Sequence, residues 1–248
     1  MTTEEKSVVL IIADISGYTR FMVEHKAELL HAQLAISELI QTIIRQVEIP
    51  LEVAKLEGDA VFMYAVKENS KAAWATTRSK IGQKLLAFFQ AFADKIAEMM
   101  QTNVCECKFC SNLNKLRLKL IVHSGKAIFY NIGRFQELAG VDVILVHRLL
   151  KNSVPGNQYI LMTEAGYYDI EFPVQVTVTP GQESYDEIGT IKTLIYEPPP
   201  ETLFFADMPS VNRQAQGWTW VRYTADKVGK TLAIWTGLKK GTKLSHGD

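Results

Sequence analysis

The chain has 248 residues, 47% of them hydrophobic and 22% charged, the make-up of a globular protein able to bury a sizeable core. Lysine plus arginine equals aspartate plus glutamate at 27 each, so the formal net charge is zero and offers no electrostatic case for nucleic acid or an anionic membrane as main partner. The start, MTTEEK, is acidic and polar, unlike a signal peptide, and the first apolar run is too short to span a bilayer, so a cytoplasmic protein is expected.

Val8 to Ala13 read as a buried strand that runs straight into Asp14. A carboxylate at that point is costly to bury unless its charge is compensated. Residues 18 to 47 then carry Leu29, Leu30, Leu34, Ile36, Leu39, Ile40, Ile43, Ile44 and Val47 at helical spacing, and Pro50 ends that helix. LEVAKLEGDAVFMYAV reads as two strands broken at Gly58-Asp59, a hairpin. After the polar KENSK comes a second long helix with Ile81, Leu85, Leu86, Phe89, Phe92, Ile96 and Met99 on one face.

The cysteines of CECKFC follow, and then KLRLKLIVHSGKAIFYNIG. Here Leu116, Leu118 and Ile121 predict a strand, Ser124-Gly125 a turn, and Ala127 to Tyr130 the next strand. VDVILVHRLLKNS predicts a short helix, stopped by Ser153 to Gly156. QYILMTE and FPVQVTV predict strands, and TIKTLIYEPPP the last strand before a proline brake. Strand-helix-strand-strand-helix-strand is the split βαβ order of a ferredoxin-like α+β fold with an antiparallel sheet. The expected domain spans 1–199, with a cysteine-containing insertion near 103–114, followed by an aromatic C-terminal extension over 200–248.

Asp14 at a strand end and Asp59 in the hairpin turn are the candidate chemical pair. A βαβ arrangement makes their strands neighbours, so both carboxylates can meet at one rim of the sheet. Two hard carboxylates beside exposed turn backbone suit Mg²⁺, which prefers a few acidic oxygens plus phosphates and water. Two bound metals would neutralise a polyphosphate and activate an attacking oxygen. The following ISGYT could offer backbone N–H groups to phosphate at a helix start. Taken singly, Asp14 also reads as a helix N-cap and Asp59 as an ordinary turn residue.

Cys105, Cys107 and Cys110 are the only cysteines, and an odd number within six residues is a poor disulfide framework. They suit a structural Zn²⁺ clip or a redox-sensitive patch, or are ordinary partly buried thiols. Zinc takes four ligands as a rule, so the fourth would come from His123, another side chain or a dimer partner.

ADISGYTRF, KLEGDAVFMYA, LKLIVHSGKAIFYNIG and GVDVILVHRL occur in the order and spacing of class III nucleotidyl cyclases, the catalytic domain of adenylate and guanylate cyclases. The resemblance covers residues 7 to 165, about two-thirds of the chain, and points to a divergent bacterial branch. It implies a cyclase fold, Mg²⁺ or Mn²⁺ on Asp14 and Asp59, and Lys55 as a purine-reading lysine. With the family's G-x-x-V-N run laid on Gly140 to Ile144, the purine-reading acid falls on Glu137, with Asp142 as a competing acid. Lysine and acid together suit adenine, which favours ATP over GTP. Arg148 falls on the arginine that stabilises charge on the transferred phosphate.

Ile144 replaces the family's ribose-orienting asparagine, one helical turn from Arg148. Losing that contact would slow the chemistry by something like ~10²-fold. The resemblance further implies a head-to-tail homodimer, one subunit supplying the aspartates and the other Arg148. The expected function is conversion of ATP to cyclic AMP and pyrophosphate. The alternative is a nucleotide-binding or dimerising module with weak or no turnover.

Overall fold

The first apolar run becomes the centre of a sheet. The computed structural model describes residues 3–24, 29–48, 50–102 and 108–199; the expected 200–248 extension, Cys105 and Cys107 lie outside the described residues. Strand β1 (Glu4–Ser16) is paired antiparallel on both sides, with β3 (Ala60–Val66) and β4 (Arg117–Ile132). Val9, Ile11, Ala13 and Ile15 point into one core, and Val8, Leu10 and Ile12 into another. Burial on both faces explains an uninterrupted apolar run where a half-exposed strand would alternate. Each of the buried valine, leucine and isoleucine side chains stabilises the fold by about 1.5–3 kcal/mol.

The first core is closed by α2 (Leu29–Gln46) and α3 (Lys71–Thr102). On α2 the buried stripe is Ala32, Ala35, Ile36, Leu39, Ile40 and Ile43, while Leu29 and Leu34 are exposed. A short α1 (Tyr18–Glu24) precedes α2. Gly17 makes the bend from β1 into α1 with φ +88°, a conformation that disfavours any side chain. Helix α5 (Val141–Arg148) covers the second core with Val143, Leu145 and Val146.

The sheet order begins β2 (Glu52–Glu57)–β3–β1–β4, the split βαβ arrangement, and continues through β6 (Ile160–Thr163), β8 (Gly189–Tyr196) and β7 (Thr179–Tyr185). Among the described residues only β4–β6 is parallel. The fold is thus α+β with a mostly antiparallel sheet, as the element order predicts.

Three local expectations are corrected. Ser124-Gly125 is no turn: β4 runs through it unbroken, pairing Ser124 with Val9 and Gly125 with Val8. The chain reverses instead at Gly133, φ +60°, into β5 (Phe135–Ala139), whose exposed or half-buried FQELA gave no strand pattern. FPVQVTV forms no strand, and β7 is the apolar-poor TPGQESY that follows it. An edge strand paired only with β8 is held by backbone hydrogen bonds, so it needs no hydrophobic alternation and tolerates Pro180.

Gly125 serves a close approach. A Cβ there would lie 2.2 Å from the Asp142 carboxylate, which accepts from Lys126 N at 2.6 Å and meets His123 Nε2 at 3.0 Å. Gly125→Ala is therefore expected to push Asp142 off these donors and destabilise the protein by about 1–3 kcal/mol. Urea unfolding of the variant checks this, and an unshifted midpoint would contradict it.

Candidate functional site

Pairing of β1 with β3 puts Asp14 opposite Ala60, one residue past the hairpin turn that carries Asp59. The Ile15 N–H donates to the Asp59 carbonyl at 3.2 Å, which fixes the turn against the strand. Both acids line one cleft of about 530 Å³, together with Ser16, Gly17, Lys119, Lys151 and Tyr159. Asp59 titrates at about 6, well above the usual aspartate, because burial disfavours its charge and the Asp14 carboxylate repels it. A backbone hydrogen bond and the Lys119 ammonium offset part of that rise.

The compensating charge at Asp14 is Lys119, its cross-strand partner on β4. Lys119 Nζ lies 3.0 Å from Asp14 Oδ2 and donates to the Leu150 carbonyl at 3.2 Å. Both side chains are mostly buried, so the pair is shielded from solvent more than a surface ion pair is. Two convergent carboxylates, the pKa of Asp59 raised first by burial and then by the charge of Asp14, form a donor set suited to a hard divalent cation. Among the described residues no group of three or more His, Cys, Asp or Glu side chains is gathered as a metal site, so water or phosphate oxygens would have to complete any coordination here.

Lys55 and Glu137 also meet. A β-bulge between Val53 and Lys55 on β2 and the pairing of β5 with β4 bring Lys55 Nζ to 3.7 Å from Glu137 Oε2. The competing acid, Asp142, is committed elsewhere. His123 is buried on β4, its Nε2 3.0 Å from Asp142 and its Nδ1 2.8 Å from Thr163 Oγ1, which also accepts from the Gly166 N–H. One neutral tautomer satisfies all three bonds: Nε2–H donates to Asp142 and Nδ1 accepts from the Thr163 hydroxyl. His123 thus fastens the first turn of α5 to β4.

That anchored helix presents Ile144, His147 and Arg148 along a second cavity of about 420 Å³, and Lys151 borders both cavities. Ile144 is 54% exposed, and Arg148 Nη2 lies 3.8 Å from Glu187 on the β7–β8 turn. His147 bridges α5 to the hairpin, with Nδ1 2.8 Å from the Val143 carbonyl and Nε2 3.1 Å from Glu57. Sequence reasoning passed over Lys119, Lys151 and Tyr159. Lys119 had a signal, a charge alternating with leucines in a strand whose neighbour ends in an acid. Lys151 and Tyr159 sit in irregular chain and had none.

Cys110 lies on α4 (Lys108–Ser111), buried, with Sγ 3.6 Å from Nε2 and 3.7 Å from Nδ1 of His31. His123, the other candidate partner of the cysteines, is bonded to Asp142 and Thr163.

This topology is the fold of class III nucleotidyl cyclase catalytic domains. The chain is similar to the adenylyl cyclase CyaB from P. aeruginosa, 16% identical, over 80% of this chain and 97% of that one, with a TM-score of 0.59. It is also similar to a class III adenylyl cyclase-like ATP-binding protein from Pseudomonas aeruginosa, 14% identical, over 68% of this chain and 36% of that one, with a TM-score of 0.54. Within that fold, the chain belongs to the family described as protein of unknown function DUF2652, whose model matches residues 36–159. A relative from Mycobacterium tuberculosis, uncharacterized protein Rv2561/Rv2562, is 31% identical over 158 residues, 64% of this chain and 71% of that protein.

Proposed function

We propose that the protein is a class III cyclase-like enzyme that converts ATP to cyclic AMP and pyrophosphate. The observation that carries this reading is the convergence of Asp14 and Asp59 in one cleft, close enough that the charge of Asp14 raises the pKa of Asp59. It sits on the fold shared with CyaB, an adenylyl cyclase by name. Asp14 and Asp59 would hold Mg²⁺ or Mn²⁺, which when bound neutralises polyphosphate charge and makes a nearby hydroxyl more acidic. Lys119 and Lys151 line the same cleft and would balance further phosphate charge.

In the reaction the ribose 3′-oxygen forms a bond to the α-phosphorus, the bond from that phosphorus to the β-bridging oxygen breaks, and the 3′-hydroxyl proton leaves. Lys55 and Glu137 supply a donor and an acceptor to the adenine edge. Arg148, exposed on α5, reaches the site of a second copy in a head-to-tail homodimer and stabilises charge on the transferred phosphate. Among the described residues no helix is long and apolar enough to cross a membrane. A cytoplasmic location and a cyclase-like domain over 1–199 belong to the same proposal.

Ile144 favours a second reading, nucleotide binding without turnover, because an exposed isoleucine cannot hydrogen-bond a ribose. The class III adenylyl cyclase-like ATP-binding protein is a neighbour whose name states binding alone. The separating measurement is turnover of ATP and GTP by purified protein with Mn²⁺ or Mg²⁺, the cyclic product detected by mass. Cyclic AMP is expected, and metal-dependent ATP binding with no cyclic product would sink the enzyme reading.

A further inference from the structure

Among the described residues, the cations lining the cleft of Asp14 and Asp59 are Arg20, Lys119 and Lys151. Two of them already have acidic partners. Arg20 Nε lies 2.7 Å from Glu24 Oε1, and Lys119 Nζ lies 3.0 Å from Asp14 Oδ2. Lys151 is exposed and has no acidic partner among the described residues. The backbone around it is fixed on both sides. The Leu150 carbonyl accepts from Lys119 Nζ at 3.2 Å, so Lys151 follows a peptide held by the same ammonium that pairs with Asp14. The Lys151 N–H donates to the Arg148 carbonyl at 3.0 Å. Asn152 Nδ2 donates to the Leu149 carbonyl at 2.8 Å, and its Oδ1 accepts from Val154 N at 3.0 Å and from the Tyr159 hydroxyl at 2.9 Å. Glu183 of β7, itself buried, accepts from both the N–H and the hydroxyl of Ser153 at 2.9 and 2.8 Å. Arg148, three residues before Lys151, borders the α5 cavity and not this cleft, and lies 3.8 Å from Glu187.

We propose that Lys151 binds the polyphosphate chain of a nucleoside triphosphate held at Asp14 and Asp59 of its own chain, while Arg148 serves the site of the second copy. The assignment rests on the reading of the cleft as a nucleotide site. Lys119 is matched by Asp14, and the two carboxylates cancel part of the charge that a bound divalent cation brings. A polyphosphate seated here therefore draws on a further cation from the protein, and Lys151 is the one left uncommitted. Its ammonium carries three donors, which meet phosphate oxygens from several directions. Clamping of the neighbouring backbone lowers the entropy cost of recruiting it.

Mn²⁺ and inorganic tripolyphosphate serve as probes, so that no turnover is needed. By calorimetry the full chain is expected to bind tripolyphosphate in a Mn²⁺-dependent way. Lys151→Gln alters an exposed position, so it should keep the melting temperature. It is expected to weaken tripolyphosphate binding by about tenfold or more, while Mn²⁺ alone binds at least as tightly as to the parent. Equal tripolyphosphate affinity in Lys151→Gln and the parent overturns the assignment and leaves the cleft as a nucleotide site. A parent protein that binds no tripolyphosphate with Mn²⁺ overturns the nucleotide site and the assignment with it. Mixed chains separate the two allegiances. Asp14→Asn mixed with Arg148→Ala rebuilds one intact site per mixed dimer and should regain cyclic AMP formation. Asp14→Asn mixed with Lys151→Gln should not, because the chain with intact acids is then the one without the lysine. Recovery of activity in that second mixture overturns the assignment of Lys151 to its own chain's cleft.

Discussion

Asp14→Asn is expected to abolish cyclic AMP formation and metal-dependent ATP binding together, with loss of turnover on the order of 10³-fold or more. The substitution keeps the shape of the side chain and removes its charge. Two consequences follow from the geometry. Lys119, 3.0 Å away and mostly buried, loses its anionic partner but keeps the Leu150 carbonyl. Asp59 loses one of the two influences that raise its pKa, which therefore falls back toward the ordinary aspartate value. A thermal melt alongside the assay separates a lost ligand from a lost fold, because removing one partner of a largely buried ion pair also costs stability. If the folded variant binds ATP in a metal-dependent way as tightly as the parent protein, Asp14 is no metal ligand and the proposed mechanism fails with it.

The comparison of Asp14 with Gly125 indicates what a sequence can and cannot convey. The buried strand ending in an acid was legible, because six apolar residues in a row have few ways to be satisfied other than burial on two faces. The hairpin at Gly58-Asp59 was legible for the same reason: its turn chemistry is local. Ser124-Gly125 carried the same turn chemistry and misled, since its glycine answers to Asp142 on a helix 17 residues later. Local pattern cannot distinguish a glycine that bends the chain from one that admits a neighbour. FPVQVTV and TPGQESY failed in complementary ways, the first having strand composition without a partner, the second a partner without strand composition.

Charge placement was half legible. Asp14 and Asp59 were picked out by their places at a strand end and in a hairpin turn, Lys55 and Glu137 by register with the cyclase resemblance, and the fold brings each pair together. The counter-charge on Asp14 was not, because cross-strand pairing of β1 with β4 sets it, across a separation of more than a hundred residues. Cys110 shows the same limit. The cysteine was visible in sequence, whereas its hydrogen-bond neighbour His31 comes from α2, before the first hairpin, and only packing reveals it.

Metal binding at the cleft is expected to weaken as pH falls below about 6, and the sign follows from Asp59. Its acidity lies at about 6 instead of the ordinary 3.8, raised first by burial and then by the charge of Asp14. A divalent cation binds the ionised carboxylate, so below that value each binding event must expel a proton. Affinity for Mn²⁺ should be flat above pH 7 and fall toward tenfold per pH unit lower down, leaving it about tenfold weaker at pH 5. Calorimetry in buffers of different ionisation enthalpy should show close to one proton released per Mn²⁺ at pH 5, and almost none at pH 7.5. The same shift acts on the metal-free fold in the opposite sense to a paired aspartate. Between pH 4 and pH 6, roughly, the native state keeps a proton that the unfolded chain has released, so stability declines as pH rises through that window and then levels. Asp59→Asn should remove both the proton release and the decline. Mn²⁺ affinity that is unchanged from pH 7.5 to pH 5 would mean that Asp59 takes no part in holding the ion.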